Sequence, residues 1–268
     1  MKIAYTMNGL VGGLFGKHYN ADNGDESTLV IKYISNNFRK YITSSNDVDF
    51  FIFSWQTDKE KEFEEYFKPK KMELTPQIYF KYPTHFLDGM DDIDNKRILA
   101  HYSRWYGFKR VMKLRKEYEK ENNFKYDLVI NARFDMCWNS IFNFNELDSN
   151  KVHLAETIDR QYGWPNSICK NELIDHIYAM NTENMDKFAT MFNHLDEYTS
   201  PGQCPQYGHI SSHFLTVWHL RNLGLLSTDM IKFSFKDWHD GMNENATYEI
   251  LRYRNLTAEK ILLDLKEE

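Results

Sequence analysis

The sequence predicts an α/β fold: a mixed, mostly parallel sheet flanked by helices, with a helical C-terminal part. Two observations carry this. Over the first 135 residues, short runs rich in β-branched and aromatic residues alternate with amphipathic helical segments, the order that builds parallel strands joined by crossover helices. The 268 residues are 42% hydrophobic and 16% aromatic, enough to bury roughly three quarters of the surface exposed on unfolding. No repeat, low-complexity tract or Pro/Gly/Ser linker marks a boundary, so 1–268 reads as one domain.

The elements follow in order. Ile3, Ala4 and Tyr5 open a buried strand that runs into Asn8-Gly9 and a loop holding Gly9, Gly12, Gly13 and Gly16. Leu29, Val30, Tyr33, Ile34 and Tyr41 recur at helical spacing. Val48 to Phe53 is a second strand, entered through Asn46 and Asp47. Residues 58–67 place Phe63, Tyr66 and Phe67 on one face of a short helix. Residues 68–93, with Pro69, Pro76 and Pro83, read as loop with a strand around Ile78 to Phe80. The clearest helix spans 94–121, with Ile98, Tyr102, Trp105, Phe108 and Met112 as its apolar stripe and Asn122-Asn123 as its stop. Tyr126 to Asn131 is the third strand. Beyond it, strands are expected at 151–155 and 231–235, and helices at 182–197, 209–223 and 257–266.

Composition excludes several classes. A net charge of −6 gives no global basic footprint for nucleic acid. Cys137, Cys169 and Cys204 are odd in number and widely spaced, which fits neither a disulfide framework nor a zinc site. They imply a reducing, cytoplasmic setting. No apolar run is long enough to span a membrane. The stretch from Lys2 to Phe15 imitates a secretory leader, but Asn8 and the glycines interrupt it. Abundant lysine and asparagine are compatible with an AT-rich, viral genome, and so with a bacterial or virus-infected host cytoplasm.

In parallel sheets, ligands sit at the carboxyl ends of the strands. The first such end, Asn8-Gly9, carries neither G-x-G-x-x-G nor a complete phosphate loop, since His18 follows Gly16-Lys17. Its glycines still let backbone amides approach a ligand or simply make a tight turn. The second end holds Ser54, Trp55 and Gln56, with Trp55 as ligand wall or core. The third is the strongest signal: YDLVIN runs into Arg133-Phe134-Asp135. Residues two apart on an extended chain face the same way. Asp135 there can hold a hard divalent ion, and Arg133 can grip a phosphate or a neighbouring carboxylate. A structural Arg–Asp pair is the alternative. The acidic stretch Asp88 to Asp94 lacks the EF-hand spacing.

The blocks KIAYTMNG, DVDFFIFSW, SRWYGFKRVMKLRKEYEKENNFKYDLVINARFD and ENMDKFATMF resemble small bacterial and viral glycosyltransferases of GT-A-like fold. The shared pattern is a D-x-F-x-x-x-W strand, an S-x-W-Y helix, a Y-D-x-V-I-x-x-R-x-D strand end and an M-x-x-F helix. The resemblance covers residues 2–135 and, more loosely, 175–192. It implies a nucleotide-diphospho-sugar donor, most often a uridine one, bound by residues 1–135, and an acceptor hydroxyl bound by 136–268.

On that resemblance, Asn8, Gly9, Ser54, Trp55, Arg104, Arg133 and Asp135 would bind the donor. Asp135 and His239 would hold Mn²⁺ or Mg²⁺, Arg133 would offset leaving-group charge, and Asp175 would be the general base if the reaction inverts, the choice between inversion and retention being left open. Only the second acid of the family's D-x-D-type motif is present, which puts the metal in question. Asp175 also reads as a helix N-terminal acid, and His239 within Asp237-Trp238-His239-Asp240 as a solvated turn. His209 and His213 read as packing or acceptor-side residues. The expected acceptor is a bacterial or viral glycan. Alternatives are a hydroxymethylated base in phage DNA, bound along Lys109, Arg110, Lys113, Arg115 and Lys116, and a non-catalytic nucleotide-sugar or carbohydrate-binding module.

Overall fold

The first apolar run becomes the central strand because it finds a partner on each side. β1 (Ile3–Gly9) pairs in parallel with β2 (Val48–Ser54), from Ile3 opposite Val48 to Gly9 opposite Ser54, and with β4 (Leu128–Ala132). A computed structural model describes residues 1–13, 24–81, 92–155, 173–200, 211–236 and 246–251 and positions 257, 259 and 261, with backbone only for 24–25 and 92–97. In chain order the other elements are α1 (Gly24–Phe38), α2 (Glu60–Phe67), β3 (Lys71–Leu74), α3 (Asp92–Glu121), β5 (Met136–Trp138), β6 (Val152–Ala155), β7 (Ile177–Met180), α4 (Thr182–Phe188), α5 (Leu195–Tyr198), α6 (Ser212–Asn222), β8 (Ile231–Phe235) and β9 (Tyr248–Ile250).

Seven strands form one sheet in the order β3-β2-β1-β4-β7-β6-β8. β7 runs antiparallel to both its neighbours, and every other pairing is parallel. The α/β class, with a mixed and mostly parallel sheet between helices, is therefore as expected. The described part of the second half adds three strands, β6, β7 and β8, to the same sheet, of which β7 was not expected.

Alternation along the strands separates two apolar layers. Ile3, Tyr5 and Met7 join Val30, Ile34 and Phe38 of α1 and Phe63 and Phe67 of α2. Ala4, Phe51, Phe53 and Val129 face Trp105, Phe108 and Met112 of α3. Both faces are covered, which is why these strands are nearly continuous in apolar residues. Gly107 lets α3 lie close to the sheet: a Cβ there would meet Asn8 Nδ2 and Phe53 Cδ1, each at 3.1 Å.

Several boundaries differ from expectation. Residues 78–80 form no strand; the edge strand is β3, earlier in the same loop. β2 ends at Ser54, which pairs with Leu74, so residues beyond have no ladder to join. The 182–197 helix is α4, a 3₁₀ stretch over 189–194 and then α5, while the 209–223 helix starts at Ser212. β5, β7 and β9 were not anticipated. Runs of three or four apolar residues become strands only when a partner lies alongside. Most of 257–266, Cys169, Cys204 and His209 lie outside the described residues; Cys137 is buried.

The basic run on α3 is largely neutralised. Arg110 chelates Glu73 at 2.8 Å, Lys113 pairs with Glu117 at 3.7 Å and Lys116 with Asp186 at 3.2 Å. Arg115 is sealed against Glu119 (2.9 Å) and Asp186, and Lys109 reaches Asn193. This helix therefore carries no uncompensated basic strip of the kind a DNA groove requires.

Candidate functional site

Where the parallel strands end, the backbone amides and side chains of successive loops converge on one edge. Here that edge opens into a cavity of about 410 Å³. Asn8 and Gly9 enter it from the end of β1, Trp55 from the end of β2 and Arg133 from just after β4. Because β7 runs against its neighbours, its amino end arrives at the same edge and brings Asp175. Leu99, Ala100, His101, Ser103 and Arg104 of α3 form one wall, with Gln77 and Ser212 completing it.

The floor is held by a buried amide chain. Asn131 Nδ2 donates to Asn8 Oδ1 at 2.9 Å and to Thr6 Oγ1 at 3.0 Å. Asn8 Nδ2 in turn donates to the backbone carbonyl of Arg104 at 3.0 Å. That bond fixes α3 against β1 at the level of Arg104. Gly9 has φ +110°, a conformation that favours glycine, and this turns the chain out of the strand. Trp55 is buried, edge-on to Phe53 at 4.8 Å and stacked on Tyr106 at 5.7 Å. It is both core and cavity wall.

Two guanidinium groups line the cavity, each tied to an acid. Arg104 Nη1 is 3.0 Å from Asp175 Oδ2, and Nη2 donates to the Asp175 backbone carbonyl. Arg133 is bidentate on Asp135, with Nε and Nη2 each 2.7 Å from a carboxylate oxygen. Burial alone would raise the Asp175 carboxyl. Arg104, with His213, His176 and Arg133 beyond it, overrides burial and holds it well below the usual carboxylate range. Burial, reinforced by Arg133, lowers the neighbouring His176 far below the ordinary imidazole value; its Nδ1 is 3.3 Å from the Tyr248 hydroxyl.

The structure thus brings together Asn8, Gly9, Trp55, Arg104, Arg133 and Asp175 from the sequence-derived set. It sets two others back. Ser54 is fully buried, its hydroxyl donating to the Gly9 carbonyl at 2.9 Å, so it shapes the turn instead of meeting a ligand. Asp135 does not line the cavity; its carboxylate stands behind Arg133, and its backbone carbonyl accepts from Leu251 at 2.7 Å. Asp175 precedes a strand, so no helix dipole accounts for it. His239 and Lys17 lie outside the described residues. Sequence reasoning missed Gln77, His101, Ser103 and Ser212. Polar residues interrupting the apolar pattern at the start of α3 were the available signal.

A divalent ion at Asp135 requires oxygen ligands not already engaged. Both Asp135 oxygens receive Arg133, and no group of three or more His, Cys, Asp or Glu side chains suited to a metal occurs among the described residues. Among the described residues Asp135 therefore offers no unengaged carboxylate oxygen, and His239, the other expected ligand, lies outside them. No helix among the described residues is long and apolar enough to cross a membrane.

No family model matches this chain, and no curated protein is significantly similar to it. Among solved structures, a "putative nucleotide-diphospho-sugar transferase" from Desulfovibrio desulfuricans G20 is similar over 100% of this chain and 96% of its own. The identity is 11% and the TM-score 0.46.

Proposed function

We propose that this chain is a GT-A-like glycosyltransferase that moves a sugar from a nucleoside-diphospho-sugar, a uridine one first, to an acceptor hydroxyl. One observation carries the reading: two arginines, Arg104 and Arg133, line a single cavity at the carboxyl edge of a mostly parallel sheet. One residue from each of the D-x-F-x-x-x-W, S-x-W-Y and R-x-D resemblances, Trp55, Ser103 and Arg133, lines that cavity. Asn8, Gly9 and Trp55 would shape the donor pocket.

The difficult step is departure of the nucleoside diphosphate from an oxocarbenium-like centre. Guanidinium groups fixed beforehand stabilise the negative charge that develops on the leaving phosphate. Asp135 would act through Arg133, holding its fork in one orientation. Asp175 would do the same for Arg104 and offer a carboxylate oxygen to a sugar hydroxyl. Because its Oδ2 is engaged by Arg104, Asp175 would serve first to position that guanidinium. Arginines in place of metal ligands would make the reaction independent of divalent cations.

The test is a screen of UDP-sugars for slow donor hydrolysis, with Mn²⁺ or with EDTA. We expect UDP release from at least one sugar, little changed by EDTA, and a fall in kcat of about 10²-fold or more in Arg133→Gln, the scale for removing one charge-stabilising donor. Binding of a UDP-sugar without turnover would favour a non-catalytic binding module. Full activity in Arg133→Gln would remove that arginine from the chemistry.

A further inference from the structure

A nucleoside-diphospho-sugar is charged at its phosphates and neutral at its base, and the cavity is divided in the same way. Arg133 follows β4, Asp175 precedes β7, and Arg104 pairs with Asp175, so both arginines and the carboxylate meet on that side. Beyond β2 and β3 the lining is neutral: Trp55, Gln77 and, from α3, Ser103. Ser103 and Arg104 are consecutive, about 100° apart around the helix. Each turns to a different end of the strand order, Arg104 to Asp175 and Ser103 to Gln77.

Gln77 and Ser103 form a fixed pair. Gln77 Nε2 donates to Ser103 Oγ at 2.8 Å and to the Ile78 carbonyl at 2.9 Å. A carbonyl only accepts, so Ile78 dictates which end of the Gln77 amide faces it. Both amide hydrogens are then engaged, and Gln77 Oε1 is an acceptor. Ser103 is buried; its oxygen accepts from Gln77, so its own proton is there to donate. Among the described residues, no group donates to Gln77 Oε1 and none accepts the Ser103 hydroxyl proton. The segment is anchored on both sides. Thr75 N donates to the Ser54 carbonyl at 3.0 Å, and Phe80 packs on Tyr102 and Tyr106. The pair therefore presents one acceptor beside one donor in the neutral part of the cavity.

We propose that Gln77 and Ser103 read the base of the donor nucleotide: Gln77 Oε1 accepts from N3–H of uracil, and the Ser103 hydroxyl donates to a flanking base carbonyl. The inference deepens the transferase reading and rests on it. Uracil presents a donor between two acceptors, the complement of this pair. A methyl group on N3 leaves Gln77 Oε1 facing a group that cannot donate, and a polar group left unpaired by the wrong ligand is what makes such a contact selective. With the base at this end, the diphosphate reaches Arg133 and Arg104.

The experiment measures, by calorimetry on the whole chain, affinity for UDP, N3-methyl-UDP, CDP, ADP, GDP and pyrophosphate. We expect wild type to bind UDP about tenfold or more tightly than N3-methyl-UDP, the scale of one unmade hydrogen bond. Gln77→Leu should weaken UDP by a similar factor, abolish the preference over N3-methyl-UDP and leave pyrophosphate affinity within about threefold. Ser103→Ala should weaken UDP, spare pyrophosphate and keep that preference. Equal binding of UDP and N3-methyl-UDP by wild type would overturn the assignment alone, and needs no variant to fold. So would tighter binding of CDP, ADP or GDP than of UDP, or a Gln77→Leu variant that keeps the preference. A wild type that binds none of the six would overturn the transferase reading and this assignment with it.

Discussion

At the scale of single residues, the site is built from arginines that arrive already paired. Arg133 and Asp135 are 13% and 6% exposed at their side chains, so each is a charge that needs the other. Breaking a buried pair by removing one partner costs more than the pair contributes, about 3–5 kcal/mol for full burial. Asp135→Asn removes the charge but keeps the shape. Since Arg133 reaches the cavity, the loss of stability should fall at or below the low end of that range. The larger effect should be on kcat. A loosened guanidinium no longer meets the developing charge, and misplacement by about an ångström is enough for a hundredfold loss. Urea titration and donor hydrolysis on the same variant separate the two effects. A variant with wild-type kcat would show that Asp135 does not position Arg133.

At the scale of elements, the contact between α3 and the sheet sets the cavity wall, and Gly107 sets that contact. Gly107→Ala gains helix propensity of about 1 kcal/mol. Against this, the new Cβ would lie 3.1 Å from Asn8 Nδ2 and from Phe53, and overpacking costs about 1–3 kcal/mol. Neither neighbour can easily give way. Asn8 is held by Arg104 and Asn131, and Phe53 sits in the apolar layer beneath α3. We therefore expect net destabilisation of about 1 kcal/mol and weaker UDP binding, measured as a lower urea midpoint and a raised dissociation constant. An increased midpoint would mean that α3 can shift outward without loss.

At the scale of the whole molecule, acid should weaken the fold, because several imidazoles are buried neutral. His219 is fully buried against Tyr198, with Nδ1 2.8 Å from its hydroxyl, and burial lowers it to about 4. His176 and His153 are lowered by burial as well. An unfolded histidine binds its proton near pH 6.5. Between there and the folded values the unfolded state holds more protons, so stability is lost as pH falls. For His219 alone this reaches about 3 kcal/mol by pH 4. Asp175 adds in the same direction only at lower pH, because its lowered carboxyl ionises normally until the unfolded value near 3.9 is passed. The melting temperature should drop between pH 7 and pH 4.5, and His219→Gln should flatten that dependence. A flat profile in the wild type would contradict the burial of these rings.

The sequence by itself determined the strands and helices that bury enough apolar surface to declare themselves. β1, β2, β4 and α3 are legible because their periodicity is the direct imprint of two covered sheet faces. It also marked Arg133 and Asp135, since charges placed straight after an apolar run must sit at a strand end. Only the tertiary structure decided which of them meets solvent. The chelate turns Asp135 inward and Arg133 to the cavity, and local sequence holds nothing that sets that order. It likewise decided that β7 is a strand and runs against the sheet. That direction comes from pairing with β4 and β6, and it is what delivers Asp175 to Arg104. His101 and Ser212 meet for the same reason: two helices far apart in sequence touch only once the sheet face they share exists.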